Sequence, residues 1–94
     1  MNGAQMNKEP DQGSFEGIEF EWHSTKAAGN LRKHKVSFEE AMTVFGDERT
    51  LVVPDREHSE EEVRYLALGY SSQKRLLMMC FTERGTKLRI ISAR

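Results

Sequence analysis

The side chains Lys26, Lys33, His34, Arg64, Arg84, Arg89 and Arg94 are of types that handle phosphate. A guanidinium grips phosphate oxygens two at a time. Held in a site, it also stabilises the added charge of a pentacoordinate transition state. An imidazole changes charge near neutral pH and can move a proton there. RNA brings its own nucleophile, the 2′-hydroxyl, so cations with an acid and a base suffice to cleave it without a metal. Taken singly, each Lys or Arg is also an ordinary solvated residue. His34 has an equally plain alternative, as a cap on the carbonyls at a helix C-terminus. Residue type and spacing alone therefore read as anion binding, with phosphodiester cleavage as one use of it.

Other chemistries lack their signatures. His23, His34, His58 and Cys80 are scattered without ligand-like pairing, so no metal is expected. No Gly-rich phosphate loop, dinucleotide fingerprint or G-x-S-x-G occurs, so no cofactor is expected. Cys80 lies inside an apolar run and reads as buried and inert.

The elements that must position these groups start with Lys26–Asp47, which reads as two short helices with a tight junction. The first, capped by Ser24 or Thr25, puts Lys26, Asn30 and Lys33 on one face and a thin apolar pair, Ala27 and Leu31, on the other. The second opens on Ser37 with Glu40 three residues on, a capping box. Phe38, Ala41, Met42 and Phe45 then form a buried stripe, and Gly46 stops the helix. Ile18–Trp22 alternates as a half-buried strand, expected at a sheet edge.

Later in the chain, Thr50–Val53 reads as a strand ended by Pro54, followed by an acidic loop over 55–62 that reads as a solvated linker. Arg64–Ser71, Leu76–Phe81 and Leu88–Ile91 make three more strands, the middle one apolar on both faces and therefore central. Leu66, Leu68 and Tyr70 share a face with Arg64, which sits at the strand's start where a guanidinium can escape the core. Arg89 leaves the face that Leu88 and Ile90 bury. The order is β-α-α-β-β-β-β: an α+β domain, a small antiparallel sheet with two N-terminal helices on one face.

Residues 1–17 are polar and aperiodic and read as a mobile N-terminal extension, leaving 18–94 as one domain. No apolar run approaches the roughly 20 residues of a membrane span, and the single cysteine fits a reducing cytosol, so a cytoplasmic protein is expected. Net charge is −1, yet residues 63–94 hold seven basic side chains and a single acid. A near-neutral protein can still present a basic face to an anion.

Several segments, in order, resemble the BrnT family of bacterial toxins. They are Phe20-Glu21-Trp22, Lys26, Asn30-x-x-Lys33-His34-x-Val36-x-Phe38-Glu39-Glu40-Ala41 and Phe45-x-Asp47. Glu62-x-Arg64, Gly69, Thr82-Glu83-Arg84-Gly85 and Arg89-Ile90-Ile91-Ser92-Ala93-Arg94 follow. The resemblance covers residues 20–94. It implies a RelE-like ribonuclease fold, metal-independent RNA cleavage, and neutralisation by a BrnA-like antitoxin that carries a DNA-binding portion. From their chemistry, His34, Arg64 and Arg89 are the catalytic candidates and Lys26, Lys33, Arg84 and Arg94 the substrate-binding ones. Lys33, His34, Arg64, Arg89 and Arg94 are expected to converge around one phosphate-sized pocket.

This sequence departs from the family pattern in two places. His23 stands where the family often has Asp, and the family's usual C-terminal helix is not present after Arg94. An apolar sheet face left open is then expected to favour self-association. The alternative function is a catalytically degenerate module that binds antitoxin or RNA.

Overall fold

The computed structural model describes residues 10–94. They form strands β1 (Asp11–Phe15) and β2 (Ile18–Trp22), helices α1 (Ser24–His34) and α2 (Phe38–Met42), then a 3₁₀ turn, Thr43–Gly46. Strands β3 (Leu51–Pro54), β4 (Arg64–Tyr70), β5 (Leu76–Arg84) and β6 (Lys87–Ala93) follow, with a second 3₁₀ turn, Arg56–His58, between β3 and β4. The six strands make one sheet in the order β1-β2-β6-β5-β4-β3.

The antiparallel run from β3 to β6 is the expected meander. The sheet as a whole is mixed, because β2 lies parallel to β6, with Phe20 opposite Leu88 and Glu21 opposite Arg89. Ile18–Trp22 is thus an interior strand and not the edge its alternation indicates. Two strands cover it: β6 on one side and β1 on the other, the latter in an antiparallel hairpin from Asp11↔Trp22 to Phe15↔Ile18. Residues 11–15 of the expected mobile extension are therefore part of the sheet; residues 1–9 lie outside the described residues. The polar Asp-Gln-Gly-Ser-Phe segment has no strand signal of its own. It pairs because β2 would otherwise leave a row of N–H and C=O groups unpaired.

Both helices and the first 3₁₀ turn cover one face of the sheet. Phe20 and Trp22 from β2, Leu77, Met79 and Phe81 from β5, Ala67 from β4, and Ile90 and Ala93 from β6 are buried there under Val36, Phe38, Ala41, Met42 and Val44. The Trp22 and Phe38 rings meet edge to face at 6.0 Å. Phe45 lies between Phe20 and Phe81, at 5.8 and 5.7 Å. Phe38, Ala41 and Met42 are buried as the apolar stripe predicts. Helix α2 itself tightens to 3₁₀ after Met42, which turns Val44 inward as well. On β4 the buried face is that of Tyr65, Ala67 and Gly69, while Leu68 and Tyr70 are exposed with Arg64's row.

Helix α1 is seated differently from its apolar pattern. Leu31 is half exposed and Asn30 is buried. The Asn30 amide donates to Val36 O at 3.0 Å and to Ala93 O at 2.8 Å, and its Oδ1 accepts from Ala93 N at 3.0 Å. One side chain thus ties α1 to the helix junction and to the end of β6. Satisfying three buried backbone groups outweighs burying one leucine. The cap position falls on His23, without a side-chain cap bond, and not on Ser24 or Thr25. Asn30→Ala should cost about 1–3 kcal/mol, and Asn30→Asp more, since a carboxylate would then face two carbonyl oxygens. Urea titrations check this; equal stability of wild type and both variants would refute the role.

Half of the expected capping box forms: Ser37 Oγ accepts from Glu40 N at 3.0 Å. The Glu40 carboxylate turns away into the protein. It accepts from Ser71 Oγ at 2.6 Å, from Arg75 Nε at 3.0 Å and from Arg75 Nη2. Arg75 Nη2 also donates to Lys35 O at 2.9 Å. The Arg75 hydrogen bonds hold the Glu40 carboxyl below its usual value, against the opposing effect of burial. A depressed folded-state value means stability that is complete above the unfolded pKa, about 4.3, and lost as pH falls through the folded one. Melting temperature should therefore drop on acidification below that point, and Glu40→Gln should flatten the drop. An unchanged slope in Glu40→Gln would show that other carboxylates carry it.

Candidate functional site

Among the described residues, no α-helix lies over the opposite face of the sheet. Cross-strand register places one polar row across four strands of this face: Glu21 on β2, Arg89 on β6, Thr82 on β5 and Arg64 on β4. The next row holds Ser92, Cys80, Leu66 and Val53, and beyond it Met78, Leu68 and Leu51 are neighbours. The face thus grades from charged at one end to apolar at the other. At the apolar end Leu51, Leu68, Tyr70 and Leu76 are 60, 43, 48 and 55% exposed.

A bulge shapes the middle of this face. The β5–β6 register shifts between Cys80 and Phe81, so that Ile91 has no direct partner between Ser92 and Ile90. Such an extra residue bends and twists a strand. Beside it lies a cavity of about 170 Å³ lined by Arg64, Arg94, Ser92 and Ile91, with Leu66, Met78 and Cys80 as its floor and Asp55 and His58 at its side. Burial raises the Cys80 thiol, the charge of Arg64 opposes this, and the charge of Lys26 is also felt there.

The site candidates divide into three groups. Arg64 and Arg94 share the cavity. The Arg64 Nε is shut off from solvent with no acceptor among the described residues, while its Nη2 is 3.4 Å from Glu62 Oε2. Arg84 meets the other oxygen of Glu62, also at 3.4 Å. Arg94 is held in place through its backbone, bonded both ways to Met78.

Arg89 forms the second group. It is on the polar row as its alternation predicts, but it is committed to a partner. Its Nε and Nη2 lie 2.8 and 2.6 Å from Glu21 Oε2, and its Nη1 is 3.4 Å from His23 Nε2. The third group is Lys26, Lys33 and His34. Lys26 and Lys33 are exposed on α1 and His34 is half-buried on its last turn. Neither Lys33 nor His34 lines the cavity shared by the arginines. Seating α1 through Asn30 is what sets their positions, and it does not bring all the expected groups to one pocket.

The acidic loop, whose composition reads as a solvated linker, contributes two residues to the cavity. His58 Nδ1 is 3.0 Å from Asp55 Oδ2, and both residues line the arginine cavity. Ser59 Oγ accepts from Arg64 N at 2.9 Å and donates to Asp55 O at 2.5 Å, while Asp55 N donates to Arg64 O at 2.8 Å. These bonds clamp the 3₁₀ turn to the start of β4. The only sequence signal is an Asp and a His three apart after a proline, which a polar surface loop shows just as often. His58 and Arg64 also line an open hollow of about 360 Å³ together with Glu57, Glu60, Glu61 and Glu62. Among the described residues, no three His, Cys, Asp or Glu side chains cluster as metal ligands.

A single mixed sheet sealed by helices on one face, with arginines and a His–Asp pair around a cavity on the other, defines a small α+β domain whose open face suits an anion. A family sequence model described as "Ribonuclease toxin, BrnT, of type II toxin-antitoxin system" matches residues 22–94, and the chain belongs to this family. The family is one of ribonuclease toxins, with RNA as target and an antitoxin as partner. No curated protein matches the chain. No helix among the described residues is long and apolar enough to cross a membrane.

Proposed function

We propose that this chain is a metal-independent endoribonuclease toxin of RelE-like type, acting in the cytoplasm and neutralised by a BrnA-like antitoxin. The observation that carries the reading is the meeting of Arg64 and Arg94 in one cavity on an open sheet face, where the Arg64 side chain keeps 31% of its surface exposed. A phosphate oxygen would bind the exposed part of that guanidinium. Arg64 is then placed to take the transition-state charge and Arg94 to clamp a neighbouring phosphate. Arg89, held by Glu21, extends the cationic row, and Lys26 and Arg84 attract the strand from the flanks.

The antitoxin is proposed to cover the basic row, and the exposed Leu51, Leu68, Tyr70 and Leu76 to form the apolar part of the same contact or of a self-association. Two observations favour the non-catalytic module as a second reading: Glu62 and Glu21 already occupy three of the arginines. Induced expression separates the two. The expected result is growth arrest relieved by the antitoxin, and purified protein that cleaves RNA equally with and without EDTA. Antitoxin binding without any cleavage would establish the module instead, and chelator-sensitive cleavage would refute the metal-free mechanism.

A further inference from the structure

We propose that His58, oriented by Asp55, is the general base that deprotonates the 2′-hydroxyl of the RNA at the Arg64–Arg94 cavity. The inference rests on the ribonuclease reading and assigns the proton transfer within it.

The geometry has the parts such a base needs. A base must be oriented by a third group and must offer its free nitrogen to the substrate. Asp55 Oδ2 lies 3.0 Å from His58 Nδ1, so the neutral ring carries its proton on Nδ1 and leaves the Nε2 lone pair free. The two side chains differ in exposure as their roles require: Asp55 is 11% exposed and His58 is 62% exposed. The ring therefore reaches solvent and substrate while its anchor stays fixed. Two bonds to the start of β4, Arg64 N to Ser59 Oγ and Asp55 N to Arg64 O, hold the turn that carries them, and Ser59 Oγ closes the turn on Asp55 O. The same cavity holds Arg64 and Arg94. Base, orienting carboxylate and phosphate-binding cations thus line one space, whereas His34 does not line it.

The step balances without a cofactor. His58 Nε2 takes the 2′-hydroxyl proton as the 2′-oxygen attacks phosphorus. The bond from phosphorus to the 5′-oxygen breaks, and that oxygen takes a proton from water. The products are a 2′,3′-cyclic phosphate and a 5′-hydroxyl end, and His58 returns its proton to solvent. Arg64 bears the charge that gathers on the non-bridging oxygens. Asp55 is a positioning residue, since it touches the ring and not the RNA.

The test uses the full chain with a fluorescent mixed-sequence RNA oligonucleotide, with and without purified ribosomes. Binding is measured separately on a fully 2′-O-methylated oligonucleotide that cannot be cleaved. His58→Ala should lower kcat by about 10²–10⁴-fold with an unchanged Kd for the methylated probe and an unchanged melting temperature. Added imidazole should restore part of the rate. Asp55→Ala should lower kcat by a smaller factor and leave KM in place. Products should carry cyclic phosphate ends. Wild-type cleavage with His58→Ala at full rate, or a loss that imidazole does not restore, overturns the His58 assignment and leaves the ribonuclease reading standing. Wild-type protein that cleaves no RNA under either condition overturns both.

Discussion

Arg64→Ala should lower RNA cleavage by about 10²–10³-fold while the melting temperature stays close to that of the wild type. The activity loss follows from position. Arg64 starts β4 on the open face, opposite Thr82 and in line with Arg89. It lines the cavity with Arg94. The small stability effect follows from its partner. The Arg64–Glu62 contact is 3.4 Å long, and both side chains are about one-third exposed, at 31 and 33%. Such pairs contribute about 0–1 kcal/mol, and Glu62 keeps Arg84. Arg89→Ala should behave differently and lose stability as well, because Glu21 is buried and its carboxylate has Arg89 as ion-pair partner at 2.6 Å. Single-turnover cleavage and thermal melts on both variants check this contrast. Full activity in Arg64→Ala would remove the cavity from consideration as the site.

Phe38→Ala should cost about 3–5 kcal/mol, a large share of the roughly 5–15 kcal/mol that small domains hold in total. Phe38 is fully buried and sits edge to face with Trp22 at 6.0 Å. It is also the first residue of α2, so its loss uncouples that helix from β2. Phe45→Ala should cost less. Phe45 bridges Phe20 and Phe81 by ring contacts but is only partly buried. Denaturant titration of both variants tests the order. A loss below about 1 kcal/mol for Phe38→Ala would contradict the packing of α2 on the sheet.

Much of this protein is legible locally. The spacing of Phe38, Ala41 and Met42, the serine that caps their helix, and the two-faced apolar run of Leu76–Phe81 each mark an element through its own period. Arg64 and Arg89 could be placed at a strand's start and on the outward pleat for the same reason. The ordered motifs from Phe20 to Arg94 pointed to the family that the match over residues 22–94 shows.

What the period does not contain is which distant strand lies alongside which. The parallel pairing of β2 with β6 joins segments almost 70 residues apart, and β1 pairs because a hairpin satisfies the free edge of β2, though its own residues carry no strand pattern. Asn30 looked like part of a polar face because helical spacing counts residue types; the unpaired backbone groups of Val36 and Ala93 decided that it is buried. The seating of α1 then kept Lys33 and His34 off the arginine cavity. Asp55 and His58 reached it because Ser59 and the backbone of Arg64 clamp a loop whose composition reads as solvated. Local periodicity determined the elements and the outward arginines, while hydrogen bonds between residues far apart in the chain decided which polar groups share a site.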